Sequence, residues 1–162
     1  MAKLKREALA HYLDSTFGTG AAPSWFRLGK DLEDFSIELN PDTSTQKNIL
    51  GETSVTDNGY TPSATADPYY ANPADAIYES IRDIAFNRKK NDDCKTTYLE
   101  VLIEDAEATS HKAWIEDVIV KPQSYGGDTS GVHIPFQILF DGNRKEGTVT
   151  ITDGVPTFTE KA

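Results

Sequence analysis

Few residues in this chain are equipped for chemistry. The candidates are His11, His111 and His133, the single Cys94, and four adjacent acid pairs: Glu33-Asp34, Asp92-Asp93, Glu104-Asp105 and Glu116-Asp117. Paired carboxylates do general acid/base work when an apolar pocket raises one pKa. Neighbours along a strand point to opposite faces, so adjacency alone does not make a working pair, and these pairs read as solvated surface. No histidine lies at metal-ligand spacing from another, and His133 reads as a surface residue. A serine or cysteine nucleophile needs a base and a group that orients the base; nothing local supplies either. The glycine-rich "SYGGDTSG" (124–131) lacks the lysine of a phosphate loop and leads into a strand rather than a helix, so it reads as a hairpin connection. "DTSTQKN" and "DNGY" do not fit a calcium loop, and Asn58-Gly59 marks a turn. The expectation is a protein without catalytic, metal-binding or cofactor-binding residues, and not an enzyme.

The aromatic residues carry more information. Trp25, Tyr60, Tyr69, Tyr70 and Trp114 are core or contact residues. Residues 53–71 form a polar, turn-prone run with no helical repeat. Segments of that length are uncommon in compact domains unless they function or are disordered. Its tyrosines are poorly placed for a core and well placed for an interface, where tyrosine is enriched. The segment is therefore expected to be a contact arm, with Val55, Tyr60, Tyr69 and Tyr70 touching a neighbouring subunit.

The elements that must position these residues are mostly strands. With 162 residues, 38% hydrophobic and 26% charged, the chain fits one globular domain. No stretch approaches the roughly 20 apolar residues of a membrane span, and "MAKLKREALAHYLD" has no apolar run that would make it a secretory signal. One cysteine excludes an intrachain disulfide and fits a reducing compartment. Residues 1–14 are compatible with a short amphipathic helix or an exposed arm, and "FGTGAAPS" (17–24) with a linker. The domain is therefore expected over 24–162, behind an N-terminal arm at 1–23. Strands are expected at 25–29, at 32–39, where Phe35, Ile37 and Leu39 alternate with polar residues, and at 46–56, with a turn at 40–45. The one helix is expected at 73–89: Asn72 suits the N-cap, Pro73 the first turn, and Ile77, Ile81, Ile84 and Ala85 share a face. Further strands follow at 95–105, at 112–122 with a bulge at Glu116-Asp117, and at 131–140 with Val132 to Phe140 alternating inward. A hairpin loop at 141–147, a return strand at 148–153 and a last strand at 154–160 complete the pattern. Strands, one helix, then strands predict an antiparallel β-sandwich or barrel flanked by a single α-helix.

The net charge is −10, with 26 acidic and 16 basic residues. Direct nucleic-acid binding needs cations that displace counterions and is disfavoured. An acidic wall near DNA would repel rather than hold it.

In order, the "WFRLGK" strand, the long polar loop ending in "DPYY", the single helix, the "WIEDVIV" strand and the "FDGNRKEG" hairpin resemble major tail tube proteins of tailed bacteriophages, over roughly residues 24–155. Related tubes occur in contractile tails and bacterial injection systems. The resemblance implies hexameric rings that stack into a hollow tube through which DNA leaves the capsid, in a virion tail assembled in the host cytoplasm. It implies as partners further copies of the chain, a tape measure and tube-end proteins. DNA would pass without specific binding, and no membrane is involved. The lumen would be acidic, with Glu100 and Glu104 as lining residues. The alternative is a β-sandwich binding module for carbohydrate or adhesion, with Trp25 and Trp114 as stacking residues; a small hydrolase using an acid pair is a more distant one.

Overall fold

The structure is a computed structural model that describes residues 2–18, 22–30, 32 and 34–162. Thr19, Gly20 and Ala21 of the expected linker and Glu33 of the first acid pair lie outside the described residues. The body is one antiparallel sheet. Its strands are β1 (Leu9–Asp14), β2 (Trp25–Leu28), β5 (Ser63–Ala66), β6 (Lys95–Leu102), β7 (His111–Pro122), β10 (Phe136–Thr152) and β11 (Val155–Glu160). They run in the order β11-β10-β7-β6-β1-β2. β5 pairs with residues 136–139 of β10 and β11 with residues 147–152, so the two share one edge of that long strand. Two small ribbons complete the strands: β3 (Pro41–Lys47) with β4 (Thr53–Tyr60), and β8 (Gly126–Asp128) with β9 (Gly131–His133).

The mainly-β fold with one flanking helix is as expected. The sheet curls into a half-barrel rather than pairing with a second sheet. Both of its faces are buried at the centre. On one face Leu13, Leu28, Tyr98, Val118, Val120, Phe136 and Ile138 pack beneath α1 (Tyr78–Phe86) through Ile77 and Ile81. On the other, Ala10, Tyr12, Leu99, Val101, Ala113 and Val149 cluster with Trp25 and Phe158. Trp25 and Phe158 come from opposite edges of the sheet, and the curl is what brings them to one cluster.

Several boundaries differ from expectation for identifiable reasons. The N-terminal segment is no arm: β1 lies between β6 and β2, and Ala10 to Asp14 are all buried. Its two faces serve the two clusters, so it shows no alternation of apolar and polar residues. Only a single 3-10 turn, Arg6–Ala8, precedes it. Residues 34–39 form a strap rather than a strand, tied by the Glu38↔Ser63 bridge. The expected turn at 40–45 is β3, and the turn falls at Asn48–Glu52 instead. The helix is shorter than 73–89. Asn72 caps a preceding turn, accepting from Ala74 N–H at 3.0 Å, and Arg88 closes the far end with φ 49°. Residues 141–147 are not a loop, because β10 runs unbroken for 17 residues. The irregularity expected at Glu116-Asp117 sits on the opposite strand, where β10 shifts register between Phe140 and Lys145; the β6–β7 ladder beside Glu116 stays regular. Val132, expected inward, is exposed.

Candidate interaction surface

The most prominent feature is an arm built by β3 and β4. All residues of β3 and nearly all of β4 are exposed, and among the described residues no other strand pairs with them. Strands of seven and eight residues at about 3.3 Å per residue carry the tip about 25 Å from its root. The root is well fastened. Glu38 and Ser63 exchange backbone hydrogen bonds of 2.7 and 2.9 Å, Thr61 N–H donates to Leu39 O, and the Asn40 amide donates to Thr61 O at 3.0 Å. Asn58-Gly59, read as a turn, is a bulge: two residues of β4 stand opposite one of β3, with Gly59 at φ 94°.

The tip is ordered by one side chain. Asn48 Oδ1 accepts from the N–H groups of Leu50 and Glu52 at 2.9 and 3.0 Å, and Gly51 takes φ 81° to close the turn. This places Ile49 and Leu50 at the apex, 103% and 76% exposed. Two aliphatic side chains held in water by an ordered turn make the apex the candidate contact point of the arm. Burying each contributes about 1.5–3 kcal/mol.

Of the four expected contact residues, Val55 and Tyr60 are on this arm and exposed at 69% and 63%. Tyr69 is not available: it lies in the core against Phe136, with ring centroids 5.5 Å apart, and its hydroxyl donates to Asp75. Burial and the Asp75 carboxylate hold that phenol well above its usual range. Tyr70 is half-buried, edge-on to His133 at 4.4 Å. The expected arm at 53–71 is thus displaced toward the N-terminus, because 63–71 folds back onto β10 and the core. Ile49 and Leu50 were missed. Their signal was Asn48 and Gly51 around an apolar pair, a turn pattern read as an interrupted strand.

A polar network lies beneath the strap. Arg6 donates to Phe35 O at 2.8 Å and to His11 Nε2 at 2.9 Å. Because a guanidinium only donates, Nε2 must accept, and His11 Nδ1–H donates to the Tyr98 hydroxyl. Tyr98 in turn donates to Glu100 at 3.3 Å. Arg144 pairs with Glu100 and with Glu116, the latter at 3.0 Å, and stacks on Trp114 at 5.7 Å. Burial, then Arg6 and Arg27, push the imidazole pKa down to about 4. Both imidazole nitrogens and both Glu100 oxygens are engaged within the network, so its geometry fastens β1, β6, β7, β10 and the strap together. Glu100, expected in a lumen, is therefore committed inside its own subunit. Glu104 lies beyond β6, exposed, 3.5 Å from Lys112. His133 is half-buried rather than on the surface; its Nε2 has no hydrogen-bond partner and lies 3.8 Å from Asp128.

No family model and no curated protein sequence matches the chain. Solved structures do. The sheath/tube terminator of an extracellular contractile injection system, PVC, in its extended state aligns with TM-score 0.52 and 12% identity over 91% of this chain and 97% of that one. The tube-terminating cap of the anti-feeding prophage aligns with TM-score 0.52 and 18% identity over 91% and 93%. A chain from the tail of an empty GTA particle, determined by helical refinement with C6 symmetry, aligns with TM-score 0.51 and 13% identity over 97% and 99%. The chain shares its fold with tail and tube-terminating proteins.

Trp25 and Trp114 do not make a common stacking platform. Trp25 joins the cluster of Leu99 and Val101, while Trp114 alternates with Ile115 onto the opposite face of the sheet, under Arg144.

Proposed function

We propose that this chain is a structural subunit of a phage-type tail or injection tube, closing with copies of itself into hexameric rings that stack and conduct DNA. The observation that carries the reading is the long exposed hairpin, with its apolar apex, on a half-barrel shared with tube-terminating proteins. A lone two-stranded ribbon is marginal in water; an adjoining subunit would complete it. The C6 symmetry of the GTA tail supports six copies per ring. Identical subunits related by rotation form closed rings through head-to-tail contacts. The surplus of ten negative charges supports a lumen along which DNA slides without binding. Tape-measure and tube-end proteins are the further partners, and the virion tail, assembled in the host cytoplasm, is the location.

The test is the double substitution Ile49→Ser, Leu50→Ser. Wild-type protein is expected to form rings or tubes at high concentration in negative-stain micrographs. The variant should keep its melting temperature within about 1 °C, since both side chains are exposed, and lose assembly. Tubes formed by the variant as readily as by wild type would refute the role of the arm, and wild type monomeric at every concentration would refute the tube.

A further inference from the structure

In a protein with ten surplus negative charges, one end of the half-barrel is basic. Arg88, Lys89 and Lys90 follow α1 directly and are exposed, and among the described residues none of them forms an ion pair. Lys121, at the end of β7, donates to Lys89 O at 3.1 Å and so draws a fourth cation to the same place. Beside them Phe86 and Tyr125, 52% and 48% exposed, stack with centroids 4.5 Å apart. The acids nearby are Asp92, which pairs with Lys95, and Asp93, while Asp117 and Asp141 also act on Lys95.

At the opposite end of the same strands one loop is acidic. β6 starts at Lys95 beside the basic group and ends at Leu102, about 23 Å away. The connection to β7 carries Glu104, Asp105 and Glu107, all exposed, with Asp105 Oδ1 accepting from Glu107 N–H at 3.0 Å to shape the turn. The register Val149↔His111 brings the β10–β11 turn, with exposed Asp153, to this end as well. Lys112 offsets one of these charges through Glu104, and the exposed Lys3 and Lys5 precede β1 at the same end, where Ile103 N–H donates to Ala8 O at 2.7 Å.

We propose that the basic and aromatic end is a docking surface for the acidic β6–β7 loop of a second copy of this chain, so that subunits meet head to tail through opposite charge. The occupant follows from the molecule itself, which carries the complementary group at the far end of the same hairpin. A contact between unlike ends propagates in one direction, and like ends repel. It places Glu104 in a contact between copies instead of a lumen lining. The proposal rests on the reading of the chain as a self-assembling subunit, and the arm and the charged ends are separate contacts.

The experiment uses two full-length charge-reversed variants. One carries Arg88→Glu and Lys89→Glu, the other Glu104→Lys and Glu107→Lys; all four side chains are exposed, and circular dichroism checks the fold. By sedimentation velocity in 0.1 M salt, each variant alone should self-associate at least about tenfold more weakly than wild type. An equimolar mixture should recover association, because the reversed patch of one then meets the reversed loop of the other. Wild-type association should weaken in 0.5 M salt. Variants that associate as wild type does would overturn this contact while leaving the tube reading intact. Wild type that never associates would take both down. A fluorescent single-stranded 20-nucleotide DNA that binds wild type, loses binding to the patch variant and finds no recovery in the mixture would also overturn it, assigning the patch to nucleic acid instead.

Discussion

His11 is 3% exposed and bonded at both ring nitrogens, so its proton inventory is part of the fold. In the unfolded chain an imidazole titrates near 6.5; here burial and two guanidinium groups take it to about 4. Between those values the unfolded state binds the extra proton and the folded state does not. Stability is therefore complete above pH 6.5 and falls as pH drops toward 4, by about 3 kcal/mol at most. His11→Gln keeps a donor toward Tyr98 and an acceptor toward Arg6 but does not titrate. Urea midpoints measured from pH 7 to 4.5 should fall less steeply in that variant than in wild type; equal slopes would show that His11 does not carry the dependence. None of this network was legible in the sequence. Arg6, His11, Tyr98, Glu100, Glu116 and Arg144 span nearly the whole chain, and the register of four separate strands aligns them. Tyr98 shares its side of β6 with Glu100, a side that would be a polar face if α1 and the strap did not cover it.

At the scale of elements, periodicity exposed strands whose alternation survives in the sequence, such as β6, and missed β1 and β3. α1 was legible from its apolar spacing and flanking signals, though longer than it is, and the alternation of Phe136 and Ile138 from spacing alone. β1 was not, since Ala10 and Tyr12 serve one cluster and Leu13 the other. β3 was not either, because nothing along it is buried and a strand that faces solvent on both sides leaves no pattern. The turn-forming residues of 141–147 suggested a loop, yet Gly147 is there for another reason. A Cβ at that position would lie 2.2 Å from Thr159 O and 2.6 Å from the Phe158 ring, so the missing side chain is what lets β11 and its aromatic close over β10. Gly147→Ala should cost about 2 kcal/mol and speed amide exchange across residues 155–160. An unchanged melting point and exchange pattern would mean that β11 can step aside at no cost.

For the whole molecule, the sequence suggested a free N-terminal arm on a domain starting at residue 24, whereas the sheet begins with β1. Removing residues 1–23 takes away a strand that is paired on both sides and contributes to both core clusters. The truncated chain should fail to fold, giving a disordered near-ultraviolet spectrum; a soluble truncation with a cooperative melt would contradict this. The fold class was legible because the counts of helix and strand settle it, while the surfaces were legible only in kind. An exposed segment and an acidic surplus could be read, but not that the exposed segment is one leg of a hairpin. Nor could the gathering of cations be read, since Lys121 stands 31 positions after Lys90 in the chain and joins it only through the fold.

The fastening of the arm has a mechanical consequence. Both legs of the hairpin enter the body at the Glu38↔Ser63 bridge, and the second leg continues into β5, which is laddered to β10. A tug or torque at the apex is therefore delivered to the longest strand of the sheet, which spans from β5 to β11 and runs alongside β7. Displacement of the hairpin's tip should therefore tilt the barrel wall as a unit instead of unravelling it at the hinge.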